Sequence, residues 1–142
     1  MTIHFDGGSR GNPGLAGAGA EVIVVDDDSG SSRSTTTTTH SIREFCGTKE
    51  TNNFAEYRGL LAGLEKAKSC VVERYSSRPQ QSAAARPLFR LRVYGDSNLI
   101  IQQLRGAWQC RHANIRPLFQ RSRQLIDEMR ALDARSEVLL EH

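Results

Sequence analysis

Three acidic residues stand where carboxylates could act on a phosphate ester: Asp6, Glu56 and Asp96. Asp6 closes an alternating segment, Thr2 to Asp6, with Ile3 and Phe5 on one face. Asp96 follows a second apolar segment, Leu88 to Tyr94, and Glu56 falls in the first turn of a stretch of helical periodicity. A strand end lets a side chain leave the core while its backbone stays held. If the two strands are neighbours, Asp6 and Asp96 come side by side, and a helix packed on the sheet can aim Glu56 at the same spot. Gathered carboxylates raise one another's pKa unless a cation sits between them. Oxygen ligands with no His or Cys beside them select Mg²⁺ or Mn²⁺ over zinc. Two such ions about 4 Å apart can activate a water and stabilise a leaving oxygen in phosphodiester cleavage. Each acid alone also has a plainer role. Asp6 before Gly7-Gly8 suits a turn, Asp96 suits a helix N-cap, and Asn53 with Glu56 suits a capping box.

The elements that must position these acids follow from hydrophobic periodicity. Thr2 to Asp6 is predicted as a strand, followed by a segment holding Gly7, Gly8, Gly11, Gly14, Gly17 and Gly19. Ala20 to Val25 reads as a buried central strand and Ser41 to Cys46 as a third. A helix is predicted from Asn53 to Ser69, with Tyr57, Leu61 and Leu64 on one stripe. Leu88 to Tyr94 is the fourth strand, Ser97 to Arg105 a short helix broken by Gly106, Asn114 to Leu132 a long helix, and Ser136 to Leu140 a last strand. Three strands before any helix imply an antiparallel meander, and the later crossovers imply parallel pairing, so the class is α/β with a mixed sheet. Two low-complexity insertions, at about 26–40 and about 76–87, interrupt the pattern. The first, with five consecutive threonines, is predicted as an expanded hairpin loop.

A chain of 142 residues with 38% hydrophobic and 25% charged residues is expected to form a single domain, 1–142. No apolar run approaches the roughly 18 residues of a spanning helix, and no secretory signal is visible, so no membrane partner is expected. Three scattered cysteines without a C-x-x-C pair exclude a disulfide scaffold and a zinc ribbon and fit a reducing, intracellular compartment. The net charge of +3 is unevenly spread: residues 1–71 hold 7 basic against 9 acidic side chains, residues 72–142 hold 12 against 7. Sixteen of the nineteen basic residues are arginine, the side chain suited to two-pronged phosphate contact. A one-sided basic surface suggests a polyanionic partner. Arg105 and Arg111, flanking the turn that holds Trp108, are the first candidates for phosphate contact. Arg116, Arg121 and Arg123 are further candidates, but Arg116, Arg123 and Arg130 recur every seven residues opposite the apolar stripe, so a solvated face is the default there. Trp108 could pack against a deoxyribose or belong to the core.

Taken together, Phe5-Asp6-Gly7-Gly8-Ser9-Arg10-Gly11-Asn12-Pro13-Gly14, Thr51-Asn52-Asn53-Phe54-Ala55-Glu56-Tyr57 and Tyr94-Gly95-Asp96-Ser97 resemble the three successive signatures of type 1 ribonuclease H. Gln102, Gly106 and Trp108 resemble the Q…G…W stretch of the plant and microbial variants. The resemblance implies a ribonuclease H-like five-stranded mixed sheet, order 3-2-1-4-5, flanked by helices on both faces. It implies hydrolysis of the RNA strand of RNA–DNA hybrids by a two-metal-ion mechanism, with two Mg²⁺ ions (Mn²⁺ as a substitute) held by Asp6, Glu56 and Asp96 as catalytic residues. It places Asn12, Asn52 and Asn98 at the minor groove of the hybrid and Thr51 at a DNA-strand phosphate. The family's fourth carboxylate lies on a closing helix after the last strand, and this sequence stops at Glu141-His142. The resemblance therefore implies a missing C-terminal helix, weaker metal affinity and an uncovered apolar sheet face, with a monomer expected when the domain is complete. The alternative is a non-catalytic nucleic-acid-binding module of the same fold with an incomplete metal site.

Overall fold

The computed structural model describes residues 1–28, 34–78 and 87–142. Its elements run β1 (Thr2–Arg10), β2 (Gly14–Asp28), β3 (Ser34–Glu50), α1 (Asn52–Ser77), β4 (Arg90–Gly95), α2 (Asn98–Leu104), α3 (Arg116–Leu132) and β5 (Glu137–Glu141). The five strands form one sheet in the order β3-β2-β1-β4-β5. β1 pairs antiparallel with β2 and β2 with β3, whereas β4 lies parallel to β1 and β5 parallel to β4. The mixed sheet and its strand order match the expectation from the sequence.

The first three strands outrun their predicted lengths. The insertion expected as a loop continues the ladder instead: Val24 faces Thr38, Val25 faces Thr37, Asp26 faces Thr36 and Asp27 faces Thr35. Threonine is β-branched and suits an extended, half-solvated strand, so a polar tract could propagate pairing begun by its apolar neighbours. Of that insertion, 29–33 lie outside the described residues. The second insertion also starts later than predicted. Ser76 and Ser77 complete the last turn of α1, where the Ser77 hydroxyl donates to the Glu73 carbonyl at 3.0 Å. Residues 79–86 lie outside the described residues.

One face of the sheet carries the core. Ile3 and Phe5 of β1, Ala20, Val22 and Val24 of β2, and Leu91 and Val93 of β4 pack with Tyr57, Leu60 and Leu64 of α1. Ile100, Ile101 and Leu104 of α2 and Leu125, Ile126 and Met129 of α3 join the same cluster. The helices thus share one face, in keeping with the expectation that the other face of the sheet is uncovered. Register defines the other face: Thr2, His4 and Asp6 of β1 beside Ile23, Glu21 and Gly19 of β2, and beside Arg92 and Tyr94 of β4. No helix covers it among the described residues. Its exposed apolar side chains are spread out rather than gathered, with Leu15 and Phe45 at one end, Val25 at the other and Leu139 on the far edge. His4, Glu21, Arg43 and Arg92 lie between them, and the His4 ring stacks on Tyr94 with centroids 5.1 Å apart. Among the described residues, no helix is long and apolar enough to cross a membrane.

Candidate active site

The parallel register of β1 and β4 pairs Phe5 with Gly95, so Asp96 follows the end of β4 beside Asp6, which lies within β1 and does not close it as the sequence suggested, because pairing with β2 runs on to Arg10. α1 is brought onto this end by close backbone approach. A Cβ on Gly7 would lie 2.2 Å from the Ala55 carbonyl carbon and 2.4 Å from the Glu56 nitrogen. One on Gly59 would lie 2.5 Å from the Asp6 carbonyl oxygen. These two glycines seat the turn of α1 that carries Glu56 directly on the residue following Asp6. No helical-wheel or turn rule distinguishes them from the other glycines, and the sequence reasoning missed them.

The plainer roles fall away for all three acids. α1 is capped by Thr51, whose hydroxyl accepts from the Phe54 N–H at 3.2 Å, so Glu56 is not part of a capping box. α2 is capped by Ser97, whose hydroxyl accepts from the Ile100 N–H, which leaves the Asp96 carboxylate exposed. Asp6 accepts from the Gly7 N–H at 2.8 Å, a bond within the strand rather than across a turn. Glu56 is half-buried, and burial is the first cause that raises its pKa. A hydrogen bond from Ser97 opposes that rise, and the negative charges of Asp6 and Asp96 add to it. Ser97 is thus both a helix cap and a partner of Glu56, a second duty that the sequence did not reveal.

The donor set is chemically suited to a hard divalent cation: carboxylate oxygens under mutual repulsion, with no thiolate. The arrangement is open rather than closed. Among the described residues, no group of three Asp, Glu, His or Cys side chains is gathered tightly enough to hold a metal ion. His142 lies at the same end of the sheet, its Nε2 3.0 Å from the Asp96 carbonyl oxygen.

Three of the expected substrate-binding residues form a second cluster. The Asn12 side-chain oxygen accepts from the Asn52 N–H at 3.1 Å, and the Asn52 side-chain oxygen accepts from the Ser9 N–H at 2.8 Å. The Ser9 hydroxyl donates to the Glu50 carbonyl at 2.8 Å. The turn after β1 is thereby stitched to the N-terminus of α1, beside Thr51. With each amide oxygen committed, the exposed Asn12 and Asn52 present their NH₂ groups outward as donors.

The remaining candidates lie on α2 and the loop after it. Asn98 is exposed and accepts from Gln102 at 3.2 Å. Trp108 is 46% exposed, so it is not a core residue. Arg111 donates to the Gln109 side-chain oxygen at 2.9 Å. Arg105 turns toward the sheet edge and donates to the Leu140 carbonyl. Of the α3 arginines, Arg123 donates to the Leu104 carbonyl at 3.0 Å and Arg121 pairs with Glu128.

No family model matches the chain. It is 32% identical over 133 residues to the bifunctional protein Rv2228c of Mycobacterium tuberculosis, a span of 94% of this chain and 30% of that protein. It is 32% identical over 123 residues to ribonuclease HI of Halobacterium salinarum, covering 87% of this chain and 49% of that one. The chain therefore spans 30% and 49% of the length of these two relatives. Among solved structures, LC11-RNase H1 in complex with an RNA/DNA hybrid matches with a TM-score of 0.63 at 25% identity, covering 99% of this chain and 83% of that one.

Proposed function

Because the chain belongs to the type 1 ribonuclease H family, we propose that it is an endoribonuclease hydrolysing the RNA strand of RNA–DNA hybrids. Asp6, Glu56 and Asp96 are its catalytic carboxylates and would hold Mg²⁺, or Mn²⁺ in its place. The observation that carries this reading is the backbone geometry: the β1–β4 register sets Phe5 beside Gly95, and Gly7 and Gly59 seat the turn of α1 that carries Glu56 against Asp6 and the residue after it. A pair of bound divalent ions would supply Lewis acidity and lower the pKa of the attacking water. The chain's own part is to fix three anionic oxygen donors on rigid elements and to hold the duplex beside them.

For that holding, Asn12 and Asn52 offer outward N–H donors to the minor groove, where an RNA strand presents 2′-hydroxyls. Asn98 faces the same groove from the start of α2. Thr51 stays with the helix cap, and its place at the N-terminus of α1 suits a phosphate. Trp108 and Arg111 contact the backbone of the other strand. Arg105 supports the β5 edge and adds positive charge to that side. Relatives support this reading: LC11-RNase H1 has been solved on an RNA/DNA hybrid.

The test is cleavage of a hybrid labelled on its RNA strand. Cutting is expected with Mg²⁺, none with EDTA, and a loss of at least roughly a hundredfold for Asp6→Asn, the scale lost when one group stabilising transition-state charge is removed. The open arrangement of the carboxylates favours one second reading, a module that binds hybrids without cutting them. Tight binding with no metal-dependent cleavage would establish that reading in place of the first.

A further inference from the structure

Beside Glu56, the neighbouring residue of α1 points the other way, into the core. Tyr57 is fully buried, and its hydroxyl donates to the Gln103 side-chain oxygen at 2.6 Å. Gln103, on α2 and 6% exposed, in turn donates through its NH₂ group to the Gln109 carbonyl at 3.2 Å. Gln109 follows the exposed Trp108 directly. We propose that Gln103 is a positioning residue that, oriented by Tyr57, holds the 105–109 loop so that Trp108 is presented to the duplex. This role rests on the hybrid-binding reading above.

The chemistry favours a fixed direction for the relay. Burial holds the Tyr57 phenol well above its ordinary pKa, so it remains a proton donor at any working pH. A donor at the amide oxygen leaves only the NH₂ end of Gln103 free to face the loop. Backbone bonds fix the other side of the loop. The Ala107 and Trp108 N–H groups both donate to the Gln102 carbonyl, at 2.9 and 3.2 Å. Gly106 makes the reversal at φ +82°, a conformation that side chains disfavour. The loop is thus clamped by Gln102 before Trp108 and by Gln103 after it. A buried glutamine is expensive to desolvate unless both ends are bonded, and here both are. An apolar residue would fill the same space without reaching Gln109.

Trp108 is the only tryptophan in the chain, so its fluorescence reports the loop without reference to activity. The experiment compares wild type, Gln103→Leu and Tyr57→Phe. Emission, acrylamide quenching and anisotropy of Trp108 are measured beside KM and kcat on the hybrid with Mg²⁺. Gln103→Leu is expected to loosen Trp108, with more quenching and lower anisotropy. It is also expected to raise KM roughly tenfold, the low end of what a lost aromatic contact to nucleic acid costs, with kcat little changed. Tyr57→Phe keeps the Gln109 bond, so it should give a smaller shift in the same direction, and it serves if Gln103→Leu folds poorly. A folded Gln103→Leu with Trp108 signals and KM unchanged would overturn the positioning role alone. Wild-type protein with no affinity for hybrid would instead remove the functional reading, and this role with it.

Discussion

Glu56 sits between two requirements. The proposed chemistry needs it charged and near Asp6 and Asp96, whereas its burial first, and their negative charges after it, disfavour its charge in the folded, metal-free protein. A carboxyl whose pKa is raised on folding stabilises the native state while protonated, and that contribution is lost as pH rises through the raised value. Glu56→Gln, neutral at every pH, should therefore raise the melting temperature of the metal-free protein at pH 7 while abolishing cleavage. Thermal melts with EDTA check the first outcome and the labelled hybrid the second. A variant less stable than wild type would mean that Glu56 is held by favourable contacts and is not strained. The acids themselves were legible because they stand within three linked motifs. Their supports were not. Ser97 looks like an ordinary cap, and Gly7 and Gly59 matter only because of what lies across from them in space. A one-dimensional pattern carries spacing along the chain, not the distance between two backbones.

At the scale of elements, the N-terminus of α1 is the joint that aims Glu56. Thr51 caps it, and Asn12, Asn52 and Ser9 tie it to the turn after β1. Thr51→Ala removes the cap bond and should cost about 1 kcal/mol, the usual loss for such a cap. It should also weaken binding of the hybrid, which separates it from substitution of a remote cap. Urea unfolding reads the first effect and titration with a non-cleavable hybrid the second. Unchanged stability would show that Asn12 and Asn52 hold the joint alone. The sequence revealed this helix start through its motif, yet it misjudged the helix end and the strand lengths. Ser76 and Ser77 have weak helix propensity but lie where Val71 and Leu88 still pack, and the threonine tract borrows its pairing partner from β2. Tertiary contact overrode local composition in both places.

For the whole molecule, the packing of every helix on one face puts a premium on the ties that close the rim of that layer. Asp133, just past α3, is the most connected of these. It accepts from the Leu88 N–H at 3.0 Å before β4, from Arg78 at the end of α1 and from Arg135 before β5. The Arg135 hydrogen bond is the largest influence, and the Asp133 carboxyl is lowered to about 2. An acid with a depressed folded pKa adds stability that is present above its unfolded value, near 3.9, and is lost as pH falls through the folded one. Glu56 contributes with the opposite sign and above pH 4.5, while Glu128, lowered first by its hydrogen bond with Lys68, adds a loss of the same sign as that of Asp133. Asp133 and Glu56 separate by mutation. Asp133→Asn should be less stable than wild type at pH 5 to 7, with the gap closing between about pH 4 and pH 2. In the Glu56→Gln background the change above pH 4.5 should disappear, while the limb between about pH 4 and pH 2 stays as in wild type. Melts taken from pH 2 to 7 for the single and double variants decide the matter. A gap between Asp133→Asn and wild type that stays constant down to pH 2 would mean that shape, rather than charge, makes Asp133 the tie between α1, α3 and β4.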